Sequence, residues 1–192
     1  MIKDLVRKNR SYRGYDESRK ITEDELKDLV DTARVAGSAA NLQPLKYRLV
    51  CSEPEVAKLN GITRWGKMLK DIELPHKGKF PTAYIVICVD TDIAKVPENA
   101  NTDIGIAAQT ILLAAVEQGL GGCMIGNYEK AQAAEALALP ERFVPQLIVA
   151  IGKPDEDITL THVGADGNTR YYRDETGQKH FVPKRSLNEI LI

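Results

Sequence analysis

The first segment of this sequence that could do chemistry is a short basic run near the N-terminus. It holds Arg10, Ser11 and Arg13. A guanidinium group offers paired N–H donors to a phosphate and a serine hydroxyl adds another donor, so the run could grip a phosphate group. Taken alone, the same residues fit a solvated basic surface better, and a nucleic-acid patch is a third and weaker interpretation.

A second segment joins small residues to two amides. Residues 37–40 are Gly-Ser-Ala-Ala, and Asn41 and Gln43 follow before Pro44. Small residues let a backbone approach a ligand closely, and amide side chains can donate to and accept from the edge of a heterocycle. A plain helix-to-strand connection explains Ser38, Asn41 and Gln43 equally well.

Two further segments lie in the second half of the chain. Residues 119–126 are rich in glycine but match neither the dinucleotide fingerprint nor the phosphate-binding loop of nucleotide hydrolases. Their backbone N–H groups could face a ligand, or the run could be a tight turn. Lys184 and Arg185 form a compact basic pair that could complete a phosphate site or remain an exposed tail.

The cysteines and histidines suggest no site of their own. The three cysteines are far apart in apolar segments, which predicts buried, reduced thiols: Cys51, Cys88 and Cys123. The three histidines are scattered without the spacing of metal ligands, so we expect surface residues and no metal site: His76, His162 and His180.

Composition limits the class of protein. The chain has 192 residues, which suits one domain, and 26 basic against 27 acidic residues, so it lacks the basic surplus of a nucleic-acid binder. The longest apolar stretch, 104–116, is interrupted by Gln109 and is too short to span a membrane. The charged N-terminus has no apolar signal core, and we therefore expect a cytoplasmic protein that binds neither membrane nor nucleic acid.

Helices and strands are predicted to alternate along the chain. Capping boxes are predicted at Thr22 with Glu25 and at Ser52 with Glu55, and Asn127 is a predicted helix cap. Predicted helices cover residues 2–8, 23–37, 53–61, 102–118 and 129–137, and predicted strands cover 46–52, 83–89, 123–125 and 145–151. This order favours a sheet covered by helices on both faces.

Two segments do not fit that pattern. Residues 63–81 have little periodicity and are predicted to be irregular. The polar tail carries turn signals at 166–168 and 176–177 with a strand-like stretch, 169–173, between them. Because the tail cannot form a core of its own, we expect it to pack on another surface, such as a partner subunit.

In this order, the four candidate segments described above resemble the corresponding motifs of the FMN-dependent nitroreductase family. The resemblance rests on RSYRGYDES (10–18), GSAANLQP (37–44), DIGIAAQTILLAAVEQGLGG (103–122), CMIG (123–126), VAIGKPDE (149–156) and PKR (183–185). No single motif is specific, but the ordered set is. The resemblance implies an α+β fold, a three-layer α-β-α sandwich. It also implies one domain over 1–192, whose C-terminal arm, 158–192, crosses to the partner of a homodimer.

The resemblance also assigns roles around FMN. Arg10, Ser11 and Arg13 match the motif that holds the phosphate and ribityl chain and reaches the pyrimidine end. The backbone N–H groups of Ile125 and Gly126 match those that face the reactive nitrogen of the flavin and its adjacent carbonyl.

The remaining assignments involve the partner subunit and the tail. Ser38, Asn41 and Gln43 match the loop that approaches the flavin from the partner, and Lys184 and Arg185 match a basic pair on the phosphate. Three features depart from the family pattern. Asn9 stands where many members have a basic residue, Gly37 stands where proline is common, and the 63–81 segment is short, which implies a reduced lid. Its apolar side chains could still form a substrate wall: Trp65, Met68 and Leu69.

The implied activity is that of an NAD(P)H-dependent FMN oxidoreductase. Hydride would pass from the nicotinamide to the flavin and then, in a ping-pong cycle, to a nitroaromatic, a quinone or a similar acceptor. No side chain is assigned as catalytic, because the flavin is the reactive group. A dehalogenating or flavin-fragmenting relative and a flavin-binding protein without robust turnover remain alternatives, and the choice between NADH and NADPH stays open.

Overall fold

The computed structural model describes residues 1–69, 72–174 and 179–192. Its centre is a four-stranded sheet with the order β1-β2-β4-β3, in which every neighbouring pair is antiparallel. The strands are β1 (Leu45–Val50), β2 (Ala83–Asp90), β3 (Gly121–Ile125) and β4 (Phe143–Gly152). The four predicted strands are therefore present, and none of their bounds differs from the prediction by more than two residues.

Five α-helices accompany the sheet within the described ranges. They are α1 (Ile2–Lys8), α2 (Glu23–Arg34), α3 (Glu53–Ile62), α4 (Asn101–Glu117) and α5 (Lys130–Ala136). Helix α4 packs against α2, and α3 packs against α5.

The sheet is buried on both faces, which makes the fold a three-layer sandwich. Along β2, Ile85 and Ile87 belong to the hydrophobic cluster that contains α2 and α4. The alternate residues Tyr84 and Val86 belong to a second cluster with α3 and the end of α5. Successive side chains of a strand point to opposite faces, so this alternation places helices on both sides. The predicted α+β fold is confirmed.

The helix starts show which local signals were decisive. The predicted capping box of Thr22 and Glu25 is formed at α2. The box predicted at Ser52 is wrong, because the hydroxyl donates to the Glu55 carboxylate at 3.0 Å and caps no backbone N–H. The predicted Asn127 cap is also wrong, since α5 begins after Glu129.

The tail forms a small sheet that the sequence did not predict. Its strands are β5 (Asp157–His162), β6 (Tyr172–Arg173) and β7 (Lys179–Lys184), in the order β5-β7-β6. Strand β7 is parallel to β5 and antiparallel to β6. The strand predicted at 169–173 shrinks to the two residues of β6, and the turn predicted at 176–177 lies outside the described residues.

The segment predicted to be irregular is irregular wherever it is described. Residues 63–69 and 72–81 contain no helix or strand. Trp65 packs edge-on against Tyr15, with ring centroids 6.4 Å apart, and its indole N–H donates to the Thr63 hydroxyl at 3.1 Å. Across the described ranges, we find no helix whose length and apolar character would let it cross a membrane.

Candidate active site

One cavity brings the two ends of the chain together. Its volume is about 310 Å³, at the lower end of the range for small-molecule sites. The lining residues come from the N-terminal run, α4, β3 and the C-terminal arm: Asn9, Arg10, Ser11, Arg13, Gln109, Leu112, Met124, Ile158, Tyr171, His180, Val182 and Lys184. Cationic side chains therefore face a partly apolar wall, and no carboxylate is among the described residues that line it.

The glycine run positions the N-terminal run by removing side chains. Tyr12 donates its backbone N–H to the Gly122 carbonyl at 3.1 Å, and Ser11 pairs with Gly122 in an isolated β-bridge. A Cβ on Gly121 would lie 2.6 Å from the Tyr12 ring, and one on Gly122 would lie 2.1 Å from the Ala150 carbonyl oxygen. Glycine at position 121 therefore lets the basic run lie against β3, and glycine at position 122 lets β3 lie close to β4.

Arg10 carries a donor that lacks an acceptor. Its Nη2 donates to the Val6 carbonyl at 2.7 Å, but its buried Nε has no hydrogen-bond partner among the described residues. Burial lowers the pKa of the Arg10 guanidinium, although the group stays charged at neutral pH. A buried unpaired donor is costly, so an acceptor entering the cavity, such as a phosphate oxygen, would be stabilised here.

Glu156 ties the N-terminal run to the C-terminal arm. Its Oε1 accepts the backbone N–H of Arg13, and its Oε2 accepts Nη2 of Arg173 at 2.5 Å. The ion pair is buried, with 4% of the Arg173 side chain and 5% of the Glu156 side chain exposed. The Arg13 guanidinium also lies 4.9 Å from the centre of the Tyr171 ring, so ring stacking adds to the link.

His180 is the largest departure from the sequence predictions. We expected a surface residue, and this expectation is wrong because His180 is 1% exposed. Neither ring nitrogen has a hydrogen-bond partner among the described residues, and the Tyr171 ring packs edge-on with centroids 5.4 Å apart. Burial, together with the smaller effect of the Arg13 and Arg173 charges, lowers the pKa of His180 to about 4. The imidazole is therefore neutral at physiological pH.

The structure gathers part of the predicted cofactor site in this cavity. Arg10, Ser11, Arg13 and Lys184 all line it. Arg185 does not, and its Nη1 instead lies 3.5 Å from the Glu189 carboxylate. Of the predicted cationic groups, the cavity thus contains three.

The predicted backbone donors lie just beyond the cavity wall. The Ile125 side chain is 4% exposed and packs in the cluster with α3 and α5. Gly126 is exposed, and a Cβ there would meet nothing within 4 Å. Met124, which precedes them on β3, is the residue that lines the cavity.

The amide loop lies elsewhere on the same chain. The Ser38 hydroxyl donates to Asp103 Oδ2 at 2.5 Å, and the Ala39 N–H donates to Oδ1 at 3.1 Å. The Gln43 side chain donates to the Asn41 side chain and carbonyl, both at 3.1 Å. The loop is exposed, and Ala40, Asn41 and Gln43 all have positive φ angles of 50–54°. Left-handed backbone at non-glycine residues is costly and clusters at binding sites.

Sequence reasoning missed several residues that shape the site. Asp103 carried a usable signal, because it is the only charged residue of α4 before Glu117, yet it is buried. His180, Val182 and Lys184 alternate along β7, which would have placed them on one face had the strand been recognised. Glu156, Gln109, Met124 and Tyr171 gave no comparable signal.

Two other expectations can be compared with the structure. None of the described residues of 63–81 lines this cavity and Trp65 packs into the second hydrophobic cluster, so the substrate wall stays a prediction. Cys88 and Cys123 are buried as expected, but Cys51 is only half-buried. Burial raises the pKa of the Cys88 thiol to about 12 and raises that of Cys123 as well, so neither favours the thiolate. The described residues include no cluster of metal-ligating side chains.

The fold is that of an α+β sandwich with a cavity between the N-terminal run and the C-terminal arm, and comparison with known proteins identifies the family. The nitroreductase family profile matches residues 6–153, so the chain belongs to the nitroreductase family. A relative from Methanothermobacter thermautotrophicus, provisionally named an NADH dehydrogenase/NAD(P)H nitroreductase, is 28% identical over 160 residues, which is 81% of this chain and 78% of the relative.

Solved structures agree with the fold. An FMN-dependent nitroreductase from Clostridium difficile R20291 is 26% identical, with a TM-score of 0.64 over 82% of this chain and 89% of its own. A nitroreductase-like protein from Exiguobacterium sibiricum, solved in complex with FMN, superimposes with a TM-score of 0.68 at 23% identity over 81% and 89% of the two chains. The family profile ends at residue 153, before the C-terminal arm. Membership of the family therefore gives no information on the residues that the arm contributes to the cavity.

Proposed function

We propose that this chain is an FMN-dependent NAD(P)H oxidoreductase. The observation that carries the proposal is the cavity in which Arg10, Arg13 and Lys184 converge without a carboxylate among the described lining residues. A phosphate dianion would neutralise the charge of Arg10 and Lys184, and bidentate arginine geometry suits its oxygens. The unpaired Nε of Arg10 fits such an oxygen, so the residues present fit the cofactor.

Apolar side chains of the cavity suit the flavin ring. Leu112, Met124, Ile158 and Val182 form its hydrophobic part, and a thioether packs well against an aromatic surface. Gln109 lies among them and offers an amide to the polar edge of the ring. When bound, FMN would supply the redox chemistry, taking a hydride from NAD(P)H and passing electrons to a nitroaromatic, quinone or similar acceptor in a ping-pong sequence.

The groups of the protein itself would bind FMN, orient its ring and exclude water from the cavity. The N–H groups of Ile125 and Gly126 lie at the end of β3, next to Met124, and in this proposal they would donate to the edge of the flavin ring that carries its reactive nitrogen. The glycine run lets the N-terminal run pack against β3, and Glu156 bonds both Arg13 and Arg173. Together these contacts fix the two walls of the cavity relative to each other. We assign no side chain as a general acid or base.

The complete site is proposed to form in a homodimer. Ser38, Asn41 and Gln43 do not line the cavity of their own chain, yet their loop is exposed and its backbone is strained. In a dimer this loop would complete the site of the partner. Apolar side chains are exposed on α1, on α4 and at the C-terminus, where a partner would cover them: Ile2, Val6, Ile106, Leu187, Ile190 and Leu191.

An absorbance spectrum before and after anaerobic addition of NAD(P)H tests the activity. We expect the purified protein, or the protein mixed with FMN, to show oxidised-flavin bands that bleach when NADH or NADPH is added. Bands that persist would indicate a flavin-binding protein that the nicotinamide does not reduce. A protein that is colourless once unbound FMN has been removed after incubation with excess FMN would contradict the proposal. Repeating the titration with each nicotinamide also decides between NADH and NADPH.

A further inference from the structure

His180 is a buried side chain whose place in the cavity the proposed function does not explain. It lines the same cavity as the three cations, is 1% exposed, and has two ring nitrogens without partners among the described residues. A buried polar group without a hydrogen bond destabilises the fold, so His180 is retained at the expense of folding stability. Such a group is explained when a ligand supplies its partner.

The position of His180 along β7 separates it from the phosphate end of the cavity. His180, Val182 and Lys184 lie on one face of the strand, which faces the cavity. Four residues of an extended strand span about 13 Å, so His180 and Lys184 address different parts of one ligand. With Lys184 on the phosphate, His180 must meet a group nearer the flavin ring.

Charged and aromatic neighbours identify the chemistry that suits this end. Arg13 and Arg173 act on His180 electrostatically, and Tyr171 packs edge-on against its ring. Glu156 is engaged by both the Arg13 backbone and the Arg173 side chain. The charges of Arg13 and Arg173 make the electrostatic potential at His180 positive, and they add to the effect of burial in lowering its pKa. An electron-rich oxygen or nitrogen is therefore the favoured partner for an imidazole N–H in this place.

Resting on the proposed function, we propose that His180 is a cofactor-facing residue that donates a ring N–H to the pyrimidine edge of the bound flavin. That edge is rich in acceptors, and it gains negative charge when the flavin is reduced. A donor beside it stabilises the reduced form more than the oxidised form, since hydrogen bonds to charged groups are the stronger ones. His180 thereby acts together with Arg13 as a positioning and tuning residue.

The test replaces the imidazole of His180 with side chains that still fill most of its volume. His180→Phe keeps an aromatic ring against Tyr171 and removes both nitrogens, whereas His180→Gln keeps an N–H donor. His162→Phe is the matched control, because His162 is exposed on the neighbouring strand β5. The dissociation constants of FMN and riboflavin are measured by quenching of flavin fluorescence, and the midpoint potential of bound FMN is measured by spectroscopic titration.

For His180→Phe we expect both FMN and riboflavin to bind about tenfold more weakly, which corresponds to the loss of one hydrogen bond to the ring. If His180→Phe also loses a tenfold preference for reduced over oxidised FMN, the two-electron midpoint potential of the bound FMN falls by about 30 mV. His180→Gln should recover part of both effects, and His162→Phe should match the wild type.

Three outcomes would overturn the inference. Unchanged affinity and potential in both His180 variants would show that the ring does not contact the cofactor. Weaker binding of FMN alone would place His180 at the phosphate. Equal losses in the Phe and Gln variants, with no change in potential, would indicate a packing role. Failure of the wild type to bind either flavin is a separate result, and it would reject the proposed function itself.

Discussion

The central sandwich and the C-terminal arm are stabilised by different kinds of contact. In the sandwich, every residue of β2 is buried, and aliphatic side chains from four helices cover both faces of the sheet. In the arm, β5 and β7 are mostly exposed or half-buried. The arm depends on a buried ion pair, Glu156 with Arg173, and on the rings of Tyr171 and His180.

This difference teaches where function resides in the molecule. Burial of apolar surface is non-directional and stabilises a scaffold, whereas charged and aromatic contacts fix particular atoms in place. Five of the cavity-lining residues belong to the arm: Ile158, Tyr171, His180, Val182 and Lys184. The arm therefore contributes ligand contacts and little core, and the comparison can be tested by breaking each kind of contact in turn.

The largest effect is expected from Glu156→Ala. Removing one partner of a buried ion pair typically costs about 3–5 kcal/mol, because the other charge stays buried. We expect the loss to be local, so that amide hydrogen exchange accelerates across β5 and β7 while β2 remains protected. Hydrogen-exchange mass spectrometry measures both regions in one sample.

Asp155→Ala is the control for that experiment. Asp155 is the adjacent acid and pairs with Lys79, but 47% of its side chain and 43% of that of Lys79 are exposed. An exposed pair contributes about 0–1 kcal/mol, so exchange in the arm should stay close to the wild type. Global unfolding of Glu156→Ala, with β2 exchanging as fast as β7, would show that the arm is part of the core after all.

A smaller effect is expected from acid. The folded state holds the pKa of His180 at about 4, below the usual value of about 6.5. As the pH falls from about 6.5 to about 4, the unfolded chain takes up a proton that the folded chain does not, so the free energy of unfolding decreases by up to about 3 kcal/mol. The fall is absent above about pH 7, where the imidazole is neutral in both states.

Urea unfolding of the cofactor-free protein between pH 4 and 7.5 measures this effect. Other groups titrate over the same range, so the informative quantity is the difference between wild type and His180→Phe. We expect that difference to grow steadily toward acid. Parallel curves for the two proteins would contradict a buried, neutral His180.

The sandwich could be predicted from sequence because its signals are local or periodic. The apolar run of β2, the capping box at Thr22 and the apolar helix α4 each specify an element without reference to distant residues. The Ser52 cap failed because its hydroxyl donates to a carboxylate rather than accepting a backbone N–H, and the Asn127 cap failed because α5 begins only after Glu129.

The arm and its part of the site could not be predicted in the same way. Glu156 and Arg173 are 17 positions apart, and Glu156 and Arg13 are 143 apart, so no local pattern relates them. His180 is buried because β7 pairs with β5 and β6, and the polar sequence of the tail does not predict this pairing. The sequence predicted Arg10, Arg13 and Lys184 as cofactor-binding residues, but only the folded structure shows that they line one cavity.

The most direct test of the account is the affinity for FMN of Arg13→Ala combined with Lys184→Ala, which removes one cation from each wall of the cavity. Loss of two charge-assisted contacts predicts binding at least about a hundredfold weaker than in the wild type. Arg7→Ala combined with Lys8→Ala removes the same charge from the exposed end of α1 and should leave the affinity unchanged. Equal FMN affinity in both double variants would contradict the claim that this cavity, shared by the N-terminal run and the C-terminal arm, holds the cofactor.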